Sequence, residues 1–294
     1  MSAWQQYILA RSLHEAFEAL TSSKGPALPI GGGTDLLLEI QQGVHPPVHT
    51  LVDITQIPEL NRLEVRNGRL FIGAGITIRI IVESPLVRQH AIAVCEACYL
   101  IGGPQVRNTA TLGGNVAHAL PAADGMIALL AMDAQAEIAS LAGCRLAPLQ
   151  TLFLGPGKSA LQKDREILVG FYLPLRQAGQ GSAFARIMRP QGVALPILNT
   201  AVWLQRNGGW IEDIRIAIGP SGPTPVRAEA AESVMRGKTL DAVCLHEAAQ
   251  AIHQTIHFRT SAMRASAEYR HHLSEVLLNQ VITTAWQRAA SAEN

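Results

Sequence analysis

The chain has 294 residues, 48% hydrophobic and 16% charged, with a formal net charge of +1. That length and apolar balance predict a folded protein of about two domains and exclude a disordered chain. Charges of both signs are interspersed, which excludes a surface built to steer nucleic acid. No run approaches the roughly 18 apolar residues of a membrane span, and residues 1–13 contain Gln5, Gln6 and Arg11 but no apolar stretch of signal-peptide length. A cytoplasmic protein without membrane insertion is expected. The cysteines at 95, 98, 144 and 244 are too scattered for a disulfide framework, so reduced thiols are expected.

Ser12 and Glu15 have the spacing of a capping box, and Leu13, Ala16, Phe17 and Leu20 recur at helical intervals, predicting a helix over 13–20. A short strand over 27–30 runs into Gly31-Gly32-Gly33. Thr34 or Asp35 then caps a helix over 36–42 that Gly43 stops. Strands are predicted at 48–54 and 69–73, short helices starting at Thr77 and Ser84, and one helix over 88–100 broken by Gly102-Gly103-Pro104. A buried helix over 124–132 precedes an alternating strand over 134–140. The polar, glycine-bearing stretch 176–181 marks a domain boundary near 177. Beyond it, Asn207-Gly208-Gly209 joins strands 201–205 and 210–218 in a hairpin, and helices follow at 240–256 and 267–286. Tyr269, Leu273, Val276, Leu277 and Gln280 would form the face of the last helix that packs on the sheet.

Gly31-Gly32-Gly33 stands at a strand-to-helix turn, where absent Cβ atoms let backbone approach a ligand and helix N–H groups favour an anion. A diphosphate suits such a place, although one glycine cluster equally makes a tight turn. A second cluster, Thr111-Leu112-Gly113-Gly114-Asn115, again combines glycines with hydroxyl and amide groups that bond phosphate or ribose oxygens. Two such loops suit a dinucleotide. Asp124, nine residues beyond Asn115, either accepts from a ribose hydroxyl or caps the following helix.

Several other patterns fail on inspection. Gly73-Ala74-Gly75 opens like a dinucleotide fingerprint but has Ile78 where a small residue is needed, and Gly157-Lys158-Ser159 lacks the leading glycine of a phosphate loop, with Leu152 in its place. His253 and His257 share a helix face, but Gln254 replaces the glutamate of a zinc-protease motif. Cys95 and Cys98 lie one turn apart in an apolar helix with no second pair, so packing is expected of them.

The motifs Ile30-Gly31-Gly32-Gly33-Thr34-Asp35-Leu36, Ile101-Gly102-Gly103-Pro104-Gln105-Val106-Arg107-Asn108, Thr111-Leu112-Gly113-Gly114-Asn115, Glu166-Ile167-Leu168 and Gly219-Pro220 through Pro223-Thr224-Pro225-Val226-Arg227 resemble the FAD-binding medium subunits of molybdenum hydroxylases, the xanthine dehydrogenase and aerobic carbon monoxide dehydrogenase family. The resemblance spans nearly the whole chain. It implies an α+β protein: an FAD-binding domain of the vanillyl-alcohol oxidase (PCMH) type over 1–176, with subdomains of roughly 1–56 and 57–176, and a C-terminal α+β domain with an antiparallel sheet over 177–294.

Carried over by position, the resemblance implies that Leu28, Pro29, Ile30, Gly31, Gly32, Gly33, Thr34, Asp35 and Leu36 wrap the FAD diphosphate, with Thr111, Gly113, Gly114 and Asn115 on its other side. Asp124 would bind near the ribose or ribityl chain and Leu168 would lie near the isoalloxazine ring. Ile101 stands where some relatives stack an aromatic on the adenine, and Leu120 where many have a hydroxyl residue. A basic residue of the strand starting near Phe184 belongs near the flavin: Arg186, unless a one-residue shift puts Ala185 there. The implied partners are an iron-sulfur small subunit and a molybdopterin large subunit, with NAD or another acceptor, assembled as a dimer of heterotrimers. The alternatives are a self-contained flavin-dependent reductase or oxidase, and a nucleotide-binding scaffold without a redox role.

Overall fold

The computed structural model describes residues 4–189, 195–262 and 264–290. Strand and helix alternate at the start, as β1 (Gln6–Leu9), α1 (Leu13–Thr21), β2 (Ala27–Ile30), α2 (Leu36–Gln41) and β3 (Thr50–Asp53). Helical crossovers return each strand in the same direction, giving a parallel three-stranded sheet in the order β1-β3-β2. Ser12 caps α1 by accepting from the Glu15 N–H at 3.1 Å, while the Glu15 carboxylate reaches back to the Arg11 N–H at 2.7 Å.

The next segment is β4 (Leu63–Arg66), β5 (Arg69–Gly73), α3 (Ile78–Glu83), α4 (Pro85–His90), α5 (Ile92–Tyr99), α6 (Pro104–Arg107), α7 (Leu112–Ala117), α8 (Asp124–Ala131), β6 (Gln135–Ser140), β7 (Gly143–Pro148), the small hairpin β8 (Phe153–Gly155) and β9 (Lys158–Ser159), and β10 (Ile167–Pro174). The sheet order is β4-β5-β10-β6-β7, all antiparallel. Alternation along β5 sends Leu70 and Ile72 to the core beneath the helices and Phe71 to the core shared with α1 and β3. Both faces of the central strands β5 and β10 are therefore buried, while the edge strand β7 is largely exposed.

The chain closes with β11 (Gln180–Met188), β12 (Pro196–Asn207), β13 (Trp210–Gly219), β14 (Val226–Arg227), α9 (Glu229–Met235), α10 (Ala242–Thr255) and α11 (Ala267–Ala290). These strands pair antiparallel in sequence order. One face, with Ala183, Leu198, Val202, Ile214 and Ile216, packs on the last helices. The other, with Phe184, Ala201, Trp203 and Ala217, joins the core beneath α5 and α8. The whole is the expected α+β architecture.

Two local expectations need correction. The helix expected over 88–100 is two helices, because Ser84 starts α4 by accepting from the Val87 N–H and Ala91, at φ −145°, turns the chain before α5. On α11, Leu273 and Leu277 are buried, but Tyr269 and Val276 are about half exposed and Gln280 is exposed; Arg270, Ser274, Val281, Ile282 and Ala285 face inward instead. Tight packing explains the rotation: a Cβ on Gly181 would stand 2.0 Å from the Ala285 carbonyl oxygen, so the small-residue side of the helix must meet the strand.

Candidate FAD site

The first glycine loop follows β2. Gly33 has φ +67°, a conformation that side chains rarely adopt. Gly32 serves a close approach, since a Cβ there would lie 2.1 Å from the Thr109 carbonyl oxygen and 2.8 Å from the Ala110 Cα. A Cβ on Gly31 would sit 3.3 Å from the Thr111 Oγ1. The glycines thus let the first loop lie directly on the segment that opens the second. His118, just after α7, adds a link by contacting Glu39 of α2 at 3.3 Å.

Leu28, Ile30 and Leu36 pack in the small core under this loop, with Pro29 half-buried between them. Asp35 stands at the N-cap of α2, is exposed, and makes no side-chain cap. Among the described residues the backbone N–H groups of Gly31, Gly32, Gly33, Thr34, Asp35 and Leu36 donate no hydrogen bond; the first amide of the turn that does is Leu37, to the Gly33 carbonyl at 3.0 Å. That row of uncommitted donors is chemically suited to anionic oxygens.

At the second loop, Leu112 N–H donates to the Ile76 carbonyl at 3.2 Å and Gly113 N–H to the Ala74 carbonyl at 3.0 Å. Gly114 N–H donates to Thr111 Oγ1 at 3.0 Å, which makes Thr111 the N-cap of α7. Gly113 is buried because a Cβ there would lie 2.5 Å from the Ala74 Cβ. This loop has used its amides internally. What it presents is the Asn115 side chain, whose Oδ1 is buried without a hydrogen-bond partner among the described residues.

Asp124 opens α8 and is 4% exposed. Among the described residues no backbone N–H donates to its carboxylate, so it does not cap the helix. Instead Oδ2 pairs with Arg186, and Oδ1 accepts from Asn199 Nδ2 at 2.8 Å. Burial pushes this carboxyl up to about 6, against the opposing pull of the Arg186 guanidinium and the Asn199 amide. Arg186 also donates to the Leu100 carbonyl at 2.6 Å, beside Ile101, and its Nε is a buried donor without a partner among the described residues. Strand alternation on β11 turns Arg186 toward Asp124, whereas Ala185 packs on the opposite core.

Leu168 is 6% exposed on the helix-facing side of β10, beside a bulge between Leu168 and Gly170. Leu120 is exposed. Sequence reasoning missed Asn199, although a lone amide inside the apolar run 196–204 was a usable signal, and missed Thr109, whose contribution is a backbone carbonyl with no signal at all. No group of three potential metal ligands occurs among the described residues. His253 instead packs against His271, and burial pushes the Cys95 and Cys98 thiols up. No helix of the described residues is long and apolar enough to cross a membrane.

Uncommitted amides on one loop, the buried acceptor Asn115 Oδ1, the donor Arg186 Nε, unpaired among the described residues, and a buried acid fit a ligand carrying both phosphate and hydroxyl groups, as FAD does. Residues 3–176 match the family described as the FAD-binding domain in molybdopterin dehydrogenase, and residues 182–285 match the carbon monoxide dehydrogenase flavoprotein C-terminal domain. The chain is 32% identical to the xanthine dehydrogenase FAD-binding subunit of Escherichia coli O157:H7, covering 97% of each. It is also 32% identical to the nicotine 6-hydroxylase medium subunit of Paenarthrobacter nicotinovorans, covering 96% of this chain and 98% of that one. Carbon monoxide dehydrogenase from Hydrogenophaga pseudoflava, in a structure lacking the Mo-pyranopterin moiety, superposes with a TM-score of 0.90 at 29% identity, covering 97% of this chain and 98% of that one. The chain belongs to the FAD-binding medium-subunit family of the molybdenum hydroxylases, as an oxidoreductase subunit of the xanthine dehydrogenase and carbon monoxide dehydrogenase type.

Proposed function

We propose that this chain relays electrons: it takes them from an iron-sulfur partner subunit, itself supplied by a molybdopterin subunit that oxidises the organic substrate, and delivers them to NAD or another acceptor. The reading places the complex in the cytoplasm as a dimer of heterotrimers, with FAD held between the two subdomains of residues 1–176 and bordered by Arg186. When bound, FAD supplies the one- and two-electron chemistry. The chain's own residues hold and insulate it. The amides of residues 31–36 take the diphosphate, and Leu28, Pro29 and Ile30 support that loop from below. Thr111, Gly113 and Gly114 fix the second loop against the first. Asn115 and Asp124 accept from hydroxyl groups, Arg186 keeps Asp124 charged, and Ile101 and Leu168 give apolar contact.

The observation that carries the reading is the pairing of uncommitted donors on the first loop with uncommitted acceptors near Asp124, because a dinucleotide needs both. That relatives of this length are called medium subunits or FAD-binding subunits supports a role inside a larger complex. The test is to purify the chain alone and with its neighbouring gene products, record the visible spectrum, and assay reduction by candidate substrates and by NADH. A flavin spectrum in both preparations, with substrate reduction only in the complex, is expected. A colourless chain with no FAD affinity, or substrate reduction at equal rate by the isolated chain, overturns the relay.

A further inference from the structure

Asn199 is fully buried on β12, where Leu198, Ala201, Val202 and Leu204 are apolar and also buried. An amide in such a place costs stability unless it is hydrogen-bonded. Its Nδ2 is committed twice, to Asp124 Oδ1 at 2.8 Å and to the Ala122 carbonyl at 3.2 Å. Arg186, Asn199 and Gly219 stand opposite one another on three adjacent strands, in a row facing residues 121–124. Arg186 holds one carboxylate oxygen of Asp124 and Asn199 the other. Gly219 lets the sheet come so near that a Cβ there would lie 2.5 Å from the Pro121 carbonyl oxygen. The C-terminal sheet therefore grips both the orientation and the charge of an acid that belongs to the other domain.

We propose that Asn199 is a positioning residue of the FAD site, fixing the rotamer and ionisation of Asp124 so that flavin retention depends on the docked C-terminal sheet. The proposal rests on the reading of Asp124 as an acceptor for FAD hydroxyl groups. Around this carboxylate stand the Arg186 cation from β11, the neutral Asn199 from β12 and the Cys98 thiol from α5, with the neutral Asn115 of α7 against Gly125 next door. Arg186 and Asn199 favour the ionised form and burial opposes it. Removing the Asn199 donor shifts the balance toward the protonated acid.

The dissociation constant of FAD, followed by flavin fluorescence from pH 5 to pH 8.5 on the purified 294-residue chain, tests this. In the unsubstituted chain affinity weakens as pH falls through about 6, where Asp124 takes up a proton. Asn199→Leu, similar in volume but without a donor, moves that midpoint upward by about one pH unit, which is about a tenfold weaker affinity within the shifted window. Asn199→Asp, which keeps the side-chain shape, sets a second carboxylate against the first and also moves the midpoint upward. If both variants weaken binding by one factor at every pH and leave the midpoint in place, Asn199 is merely structural and the proposal fails. Asp124→Asn separates the premise. Weak binding without a midpoint supports Asp124 as the titrating acceptor, whereas affinity like that of the unsubstituted chain at every pH removes Asp124 from the FAD site and the proposal with it.

Discussion

The two glycine loops look alike in sequence and do opposite things. The loop at 31–36 leaves its amides uncommitted and offers backbone donors, while the loop at 111–115 donates its amides to Ala74, Ile76 and Thr111 and offers side chains. One has backbone donors to spare; the other is a brace that holds Asn115 against Gly125, next to Asp124, and supports the first loop from behind. A glycine motif thus signals close approach of backbone, and only the partner backbone tells whether the neighbour is a ligand or the protein itself.

The largest expected effect lies next to the brace. Arg186→Ala leaves Asp124 buried without its counter-charge, costing about 3–5 kcal/mol of stability. The carboxyl already titrates above its ordinary range, and losing the cation raises it further. The loss is therefore smallest below the unfolded carboxylate range and grows as pH rises through the folded value, a trend that thermal melts at pH 5 and pH 8 would show. A pH-independent loss would mean that the pair matters only for packing.

Gly32→Val attacks the feature the loops share. Its new side chain meets the Thr109 backbone, so a destabilisation of about 1–3 kcal/mol is expected together with loss of bound FAD, read from the flavin-to-protein absorbance ratio. Normal occupancy would show that the loop contact is dispensable. Thr111→Ala sharpens the contrast: losing the α7 cap should cost about 1 kcal/mol in denaturant unfolding while FAD remains bound, because this loop contributes no amides. Smallest is Asn115→Ala, which removes one acceptor and should weaken FAD by about tenfold or less, measured by titration, without lowering stability.

Much of the fold was legible because its signals are local. The Ser12 cap, the Asn207-Gly208-Gly209 hairpin and the buried helix from Asp124 follow from neighbouring residues. β1, β4, β7, β10 and α9 escaped notice: β1 is a four-residue strand whose Tyr7-Ile8-Leu9 run is too short to distinguish a strand from a helix, the edge strands β4 and β7 are largely exposed, β10 is apolar on both faces and so does not alternate, and α9 is a short helix without a side-chain cap. At the site, the loops, Asp124 and Arg186 could be named from sequence. Their relations could not, because the Asp124 partners lie 62 and 75 residues away and reach it only when two sheets are in place.

Local patterning and family motifs therefore determined, by themselves, that this chain is an α+β flavoprotein subunit with two glycine loops. Tertiary structure alone decided that Asp124 pairs with the C-terminal sheet rather than capping its helix. It also decided that Arg186 and not Ala185 faces that acid, that α11 turns its small residues inward, and that only one loop keeps its amides free. The reason is physical: caps, turns and alternation depend on a few adjacent residues, whereas the commitment of a donor or the ionisation of an acid depends on whatever distant backbone the fold brings within hydrogen-bonding distance.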